Sequence, residues 1–177
     1  AYGSNAREMM DVYLPPSTRW RPQLDRAPVI FMVHGGAWRR GDKTMSRVVQ
    51  NKIDRWLPRG FIFVSIDYPM LPENDALAQA DEVGRALAFA QRQSPSWGGN
   101  PDKFIVMGHS AGAHLVALVA ATPAKAYALG ARPWLGTVAL DSAALDVEQI
   151  MDRRHLPFYD AAFGLLPTIA QVGVVAP

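Results

Sequence analysis

Gly108-His109-Ser110-Ala111-Gly112 sets a serine between two glycines, where the apolar run Phe104–Met107 gives way to a helical pattern. A serine hydroxyl becomes a useful nucleophile when a turn lifts it clear of the backbone and oxyanion donors lie beside it. A strand-to-helix elbow supplies both, because the strained turn exposes the hydroxyl and the helix N-terminus offers free N–H groups and positive dipole. The flanking glycines let strand and helix approach without Cβ collisions. A plainer role also exists for such a serine, as a helix N-cap between two flexible positions. The strand-to-helix setting favours Ser110 as a nucleophile.

A second cluster, His34-Gly35-Gly36-Ala37-Trp38, directly follows the apolar run Val29–Val33. Acyl transfer needs backbone N–H donors aimed at the developing oxyanion. A Gly-Gly turn at the C-terminal edge of a parallel sheet supplies them, since side chains there would block the carbonyl. Gly36 and Ala37 are the expected donors, with the Ala111 N–H as the third. Taken alone, the same residues read equally well as a tight turn.

The elements that must position these residues alternate between short β-rich runs and longer helical ones. Glu8–Leu14, Val29–His34, Phe61–Asp67, Phe104–Gly108 and Leu135–Asp141 read as strands. Between them, residues 44–60 carry apolar side chains at helical spacing, and Asp75–Gln93 is an Ala-rich helix with Asp75 at its N-cap. Residues 94–103 read as a Gly/Pro/Ser/Asn loop, Ala111–Thr122 as a buried helix apolar nearly all round, and 147–154 as a short helix. Such alternation predicts one α/β domain over 1–177, with a mostly parallel sheet, helices on both faces and right-handed crossovers.

Composition narrows the classes of function. The chain has no cysteine, which removes disulfides, thiolate nucleophiles and zinc–thiolate sites together. Its formal charge is +2 with scattered basic residues, whereas nucleic-acid binding concentrates such charge on one face. No apolar run approaches the roughly 20 residues that cross a bilayer. The chain begins with Ala1 rather than Met, so a cytoplasmic protein and a secreted one with its signal peptide removed stay equally open.

With both motifs in place, the sequence resembles the α/β-hydrolase superfamily, in its carboxylesterase-like branch. That branch spans hormone-sensitive-lipase-like esterases, feruloyl or acetyl esterases and arylformamidases. The matching stretches are "YGSNAREMMDVYLP", "HGGAW", "SIDYPMLPE" and "WGGNPDKFIVMGHSAGAHLVAL", and the likeness runs from Tyr2 to about Gly164. It implies the α/β-hydrolase fold, Ser110 as nucleophile, an oxyanion hole of Gly36, Ala37 and Ala111, and no cofactor or metal. Gly35, Trp38 and His109 beside these residues are expected to meet the substrate. The chain departs from the branch at Pro69 and Met70, and it has Ala37 where many relatives have a third glycine. Asp67, Tyr68, Pro72 and Glu73 are expected to hold the elbow in place.

In this fold the triad follows the chain order serine, acid, histidine. Only His114 and His155 follow Ser110. His114 lies one turn into the buried helix and reads as a packed core histidine, while His109 points away from the serine and His34 braces the oxyanion loop. His155, with Asp141 or Asp146 as acid, has the right order, but it follows two arginines at a helix end, where a histidine commonly serves the dipole or faces water. Leu165–Pro177 offers no histidine and no acid. The expected chain is therefore shortened relative to its relatives, lacking the last strands and helix, with an exposed sheet edge that favours homo-oligomers.

The expected function is a serine hydrolase cleaving small carboxylic esters. Its rivals are an arylformamidase, a feruloyl or acetyl-sugar esterase, an acyltransferase, and a hydrolase-like binding protein of low or no activity.

Overall fold

Strand parity decides how this chain builds its core. The computed structural model describes residues 1–16, 26–142 and 144–164. Along β2 (Ala27–Val33), Val29, Phe31 and Val33 face one side while Ile30 and Met32 face the other, and all five are buried. That is the near-continuous apolar run expected of a strand covered on both faces. Its neighbours β3 (Ile62–Ile66) and β4 (Gly99–His109) share the division: Ile62, Val64, Phe104 and Val106 join the first face, Phe63 and Met107 the second.

The sheet has five described strands in the order β1-β3-β2-β4-β5, where β1 is Met10–Tyr13 and β5 is Gly136–Leu140. β2 pairs in parallel with β3 and β4, and β4 in parallel with β5; β1 alone is antiparallel. Helix α1 (Ser46–Trp56) lays Val48 and Val49 on the second face, with Ile53 and Trp56 packed beside them. The first face is covered by α2 (Ala76–Gln93), through Val83 and Leu87, and by α3 (Ala111–Ala121), through Leu115 and Val116. The mostly parallel, doubly covered sheet agrees with the sequence expectation.

α3 is apolar nearly all round because it has no wet side over most of its length: Ala111 through Val119 are buried, packed between the sheet and α2. Asp75 caps α2 by accepting the Ala78 N–H at 2.8 Å. Three short helices complete the described chain: α4 (Pro123–Ala128), α5 (Val147–Met151) and α6 (Pro157–Phe163). α4 and α6 were not legible in the sequence. Each opens on a proline at its first turn, a position where the missing N–H costs nothing.

One boundary differs from expectation. β4 begins at Gly99, five residues before the apolar run, so Gly99–Lys103 is strand and not loop. Gly98 in the left-handed region turns the chain, and its carbonyl takes the Ala27 N–H at 2.9 Å. Asn-Pro-Asp-Lys shows no apolar alternation: only Gly99 pairs here, with Ala27, and residues 100–103 fall in a register shift before pairing resumes at Phe104 with Val29. The segment Leu165–Pro177 lies outside the described residues, as does most of the Pro-rich stretch before β2.

Candidate active site

The elbow follows from a strand and a helix that meet almost end to end. β4 ends at His109, α3 starts at Ala111, and Ser110 takes φ 53° and ψ −119° between them. An L-residue pays for such a backbone, and the conformation persists only where its surroundings over-determine it. Here the Ser110 N–H donates to Leu140 O at 2.8 Å, while the Ser110 carbonyl accepts from Ala113 and His114 at 3.0 and 3.2 Å. The Ser110 side chain makes no capping hydrogen bond to the helix. The N-cap alternative therefore fails, and the hydroxyl stands beside helix N–H groups that have no intrahelical partner.

Both motif glycines are required by backbone contact. A Cβ on Gly108 would overlap the carbonyl of Gly112, and one on Gly112 would overlap the carbonyl oxygens of Val33 and His34. Gly35 performs the third close approach: its Cβ would stand 2.7 Å from His109 O and 2.8 Å from the Ser110 Cβ. The loop after β2 thus lies directly against the elbow at Gly35.

That loop is held in an unusual shape. Gly36, Ala37 and Trp38 all have positive φ, at 128°, 52° and 59°. The Gly36 carbonyl closes the turn by accepting from Arg39 and Arg40. His34, fully buried, has Nδ1 2.7 Å from Gly35 O, so the nitrogen facing that carbonyl carries the proton. Its carbonyl accepts from the buried Tyr68 hydroxyl at 2.9 Å, and the two rings stack at 4.6 Å. Asp67 accepts the Lys43 N–H at 2.6 Å and lies 3.8 Å from His34 Nε2. Trp38, expected to meet substrate, is only 2% exposed. Its indole N–H donates to His114 Nδ1 at 3.2 Å and its ring packs on Phe163, so the loop buries this side chain in the core.

Burial pushes the His34 pKa down. It outweighs the Gly35 carbonyl and the Asp67 and Asp42 carboxylates, which favour the charged ring; Arg7 adds to the lowering. The unfolded chain protonates this histidine near pH 6.5, where the folded one does not. The contribution of neutral His34 is thus complete above that pH and is lost as pH falls toward the folded value. Urea unfolding at about pH 7.5 and about pH 5.5 is expected to show a larger acid loss in the native protein than in His34→Gln. His155 titrates in the opposite sense, its pKa raised by Asp160 and the Arg153 carbonyl, and cancels between the two proteins.

The remaining titratable candidates are engaged elsewhere. His155 has Nε2 2.8 Å from Asp160 Oδ1 and Nδ1 2.6 Å from Arg153 O, so its acid partner is on α6 and is not Asp141. Asp141, at φ 55° directly after β5, lies 3.9 Å from His109 Nε2. His109 Nδ1 is buried beneath Gly35, away from solvent, with no hydrogen-bond partner among the described residues. Asp146 caps α5 through the Gln149 N–H. His114 is buried in α3 against Trp38 and Phe163. Among the described residues no histidine is hydrogen-bonded to the Ser110 hydroxyl, and no group of three His, Asp or Glu side chains could hold a metal ion. None of the described helices is long and apolar enough to cross a membrane.

One residue of the site went unread in the sequence. Gln79, buried in α2, ties into the loop through the Trp38 carbonyl. In sequence it is a polar residue inside an Ala-rich helix, with no spacing to single it out. Outside the loop, a cleft of about 400 Å³ opens between Arg7, Arg39 and the Pro69–Glu73 segment, without Ser110 in its lining.

Known proteins resemble this chain in sequence and fold. The sequence model of the BD-FAE family matches residues 10–152. LipM of Mycobacterium tuberculosis, named a probable carboxylic ester hydrolase, is 38% identical over 106 residues, 58% of this chain and 24% of its own. Esterase LipQ of the same organism is 37% identical over 129 residues, covering 67% of this chain and 27% of that one. Among solved structures, esterase B from Lactobacillus rhamnosis superposes with a TM-score of 0.68 at 21% identity, over 93% of this chain and 54% of that one. At that identity the likeness speaks for the fold. The chain spans about a quarter of the length of the curated relatives it matches.

Proposed function

Since the chain belongs to the BD-FAE family, we propose that it hydrolyses small carboxylic esters through an acyl-enzyme on Ser110. The observation that carries the reading is the conformation of Ser110, strained, uncapped and packed against Gly35. In this reading Ser110 Oγ attacks the ester carbonyl, and the Gly36, Ala37 and Ala111 N–H groups receive the negative charge that moves onto the carbonyl oxygen. The alcohol leaves with a proton, and water then cleaves the acyl–serine bond to release the acid. Gly35 keeps the two halves of the site close enough to act on one oxygen. Trp38 acts from beneath, as packing rather than as a substrate contact, while the His109 side chain, 33% exposed, stays beside the elbow within reach of a substrate. The relatives' names, ester hydrolase and esterase, support the same substrate class.

A second reading, a hydrolase-like protein of low activity, draws on the partners of the histidines: Asp160 for His155, Trp38 for His114. β5 ends the described sheet, and association of copies along that edge belongs with this second reading.

Incubation with a fluorophosphonate, followed by peptide mass analysis, separates the two. The hydrolase reading expects one adduct on Ser110, together with turnover of p-nitrophenyl butyrate. Absence of an adduct under conditions that label a known serine esterase overturns it.

A further inference from the structure

Two consecutive non-glycine residues in the left-handed region are costly, at about 1–3 kcal/mol each, and something outside the loop must hold them. Ala37 and Trp38 are such a pair. The Trp38 carbonyl points inward and accepts two hydrogen bonds, from the Leu71 N–H at 2.9 Å and from Gln79 Nε2 at 2.9 Å. Gln79 is fully buried on α2 and comes from 41 positions further along the chain. Its second Nε2 proton goes to Asn74 O at 2.8 Å, in the segment that enters α2. Two carbonyls facing one side-chain amide fix which end is nitrogen. The other end, Oε1, is buried without a partner among the described residues. An unpaired buried oxygen is destabilising, so the amide is not there for its own satisfaction. What it accomplishes is to set the plane of the Trp38–Arg39 peptide, and with it the orientation of the N–H groups just before it.

We infer that Gln79 is a positioning residue for the oxyanion loop, acting through the Trp38 carbonyl; its catalytic consequence rests on the ester-hydrolase reading. Gln79 touches no substrate. Its effect is on the direction of the Gly36 and Ala37 N–H groups, which matter most when charge develops on the carbonyl oxygen.

Gln79→Met keeps the length and removes both donors. Gln79→Glu keeps the shape and offers a single donor only when protonated, so its loop tightens again at acid pH. Hydrogen exchange read by mass spectrometry is expected to speed up roughly tenfold or more in the peptide spanning residues 34–40 of folded Gln79→Met, with the β2 and β4 peptides unchanged. kcat for p-nitrophenyl butyrate is expected to fall about ten- to a hundredfold with KM within about twofold, the pattern of a loss felt in the transition state. Where Gln79→Met does not fold, Gln79→Glu decides through the same peptide, fast at neutral pH and slower in acid. Unchanged exchange at residues 34–40, or a uniform rise across the core, overturns the inference. A loosened loop with unchanged kcat overturns its catalytic part. If the loop loosens and the native chain turns over no ester, the clamp stands and the ester-hydrolase reading falls.

Discussion

Ser110→Ala is expected to lower kcat for a p-nitrophenyl ester by about 10⁴- to 10⁶-fold and to abolish fluorophosphonate labelling, while the protein stays folded. The magnitude is the one seen where the nucleophile of a working serine hydrolase is removed; what survives comes from the oxyanion hole and binding alone. Folding should be spared because the Ser110 side chain caps nothing, and its backbone bonds to Leu140, Ala113 and His114 need no hydroxyl. A companion variant tests the strain itself. Ser110→Gly should be equally inactive yet more stable, by about 1 kcal/mol, because φ 53° suits glycine and not serine. Urea midpoints for the three proteins decide the point: a glycine variant less stable than the native chain would show that the elbow stores no strain. If Ser110→Ala keeps turnover within about tenfold of native, Ser110 is not the nucleophile.

The largest stability effect should come from the glycine two residues on. A side chain at Gly112 meets the carbonyl oxygens of Val33 and His34, which are backbone atoms of β2 and its exit. No rotamer change relieves such an overlap; the helix must move off the sheet and take Ala113, Leu115 and Val116 with it, all fully buried. Overpacking against atoms that can yield costs about 1–3 kcal/mol, and this position cannot yield, so Gly112→Val should lose about 3 kcal/mol or more and unfold a marginal domain. Gly136→Ala is the control. It lies in β5 with open space where the Cβ would go, and it should change stability by less than about 0.5 kcal/mol in the destabilising direction. Denaturant titrations of both would expose a failure, which would be Gly112→Val unfolding at the native midpoint.

These two results have a common source. The elbow keeps its shape for the same reason that it is intolerant: strand, helix and the loop after β2 are packed backbone to backbone. Gly108, Gly112 and Gly35 remove the side chains that would hold them apart. The loop after β2 and the elbow therefore meet at Gly35 without any side chain between them.

Much of this was legible beforehand. The near-continuous apolar run of β2, the β-rich run of β3, the helical spacing in α1 and the Asp75 cap are local patterns, and local patterns survive folding. The glycine spacing around Ser110 and the Gly-Gly pair after His34 also speak through short-range geometry, since they describe where a Cβ cannot be. So the sequence by itself determined the α/β layering and the strand-to-helix elbow. Tertiary structure alone decided the rest, because the deciding contacts join distant parts of the chain. Trp38 looked like a substrate contact until His114, 76 positions away, took its indole N–H. His155 had the right order for a base, but Asp160 rather than Asp141 is its partner. β4 begins early because Gly99 pairs with Ala27 of β2 ahead of a register shift, a contact that no apolar pattern announces. Gln79 carries no motif, and only a carbonyl 41 positions back makes it part of the site. Order along the chain specifies which residues are near in sequence; hydrogen-bond partners depend on which are near in space, and the packed sheet settles that.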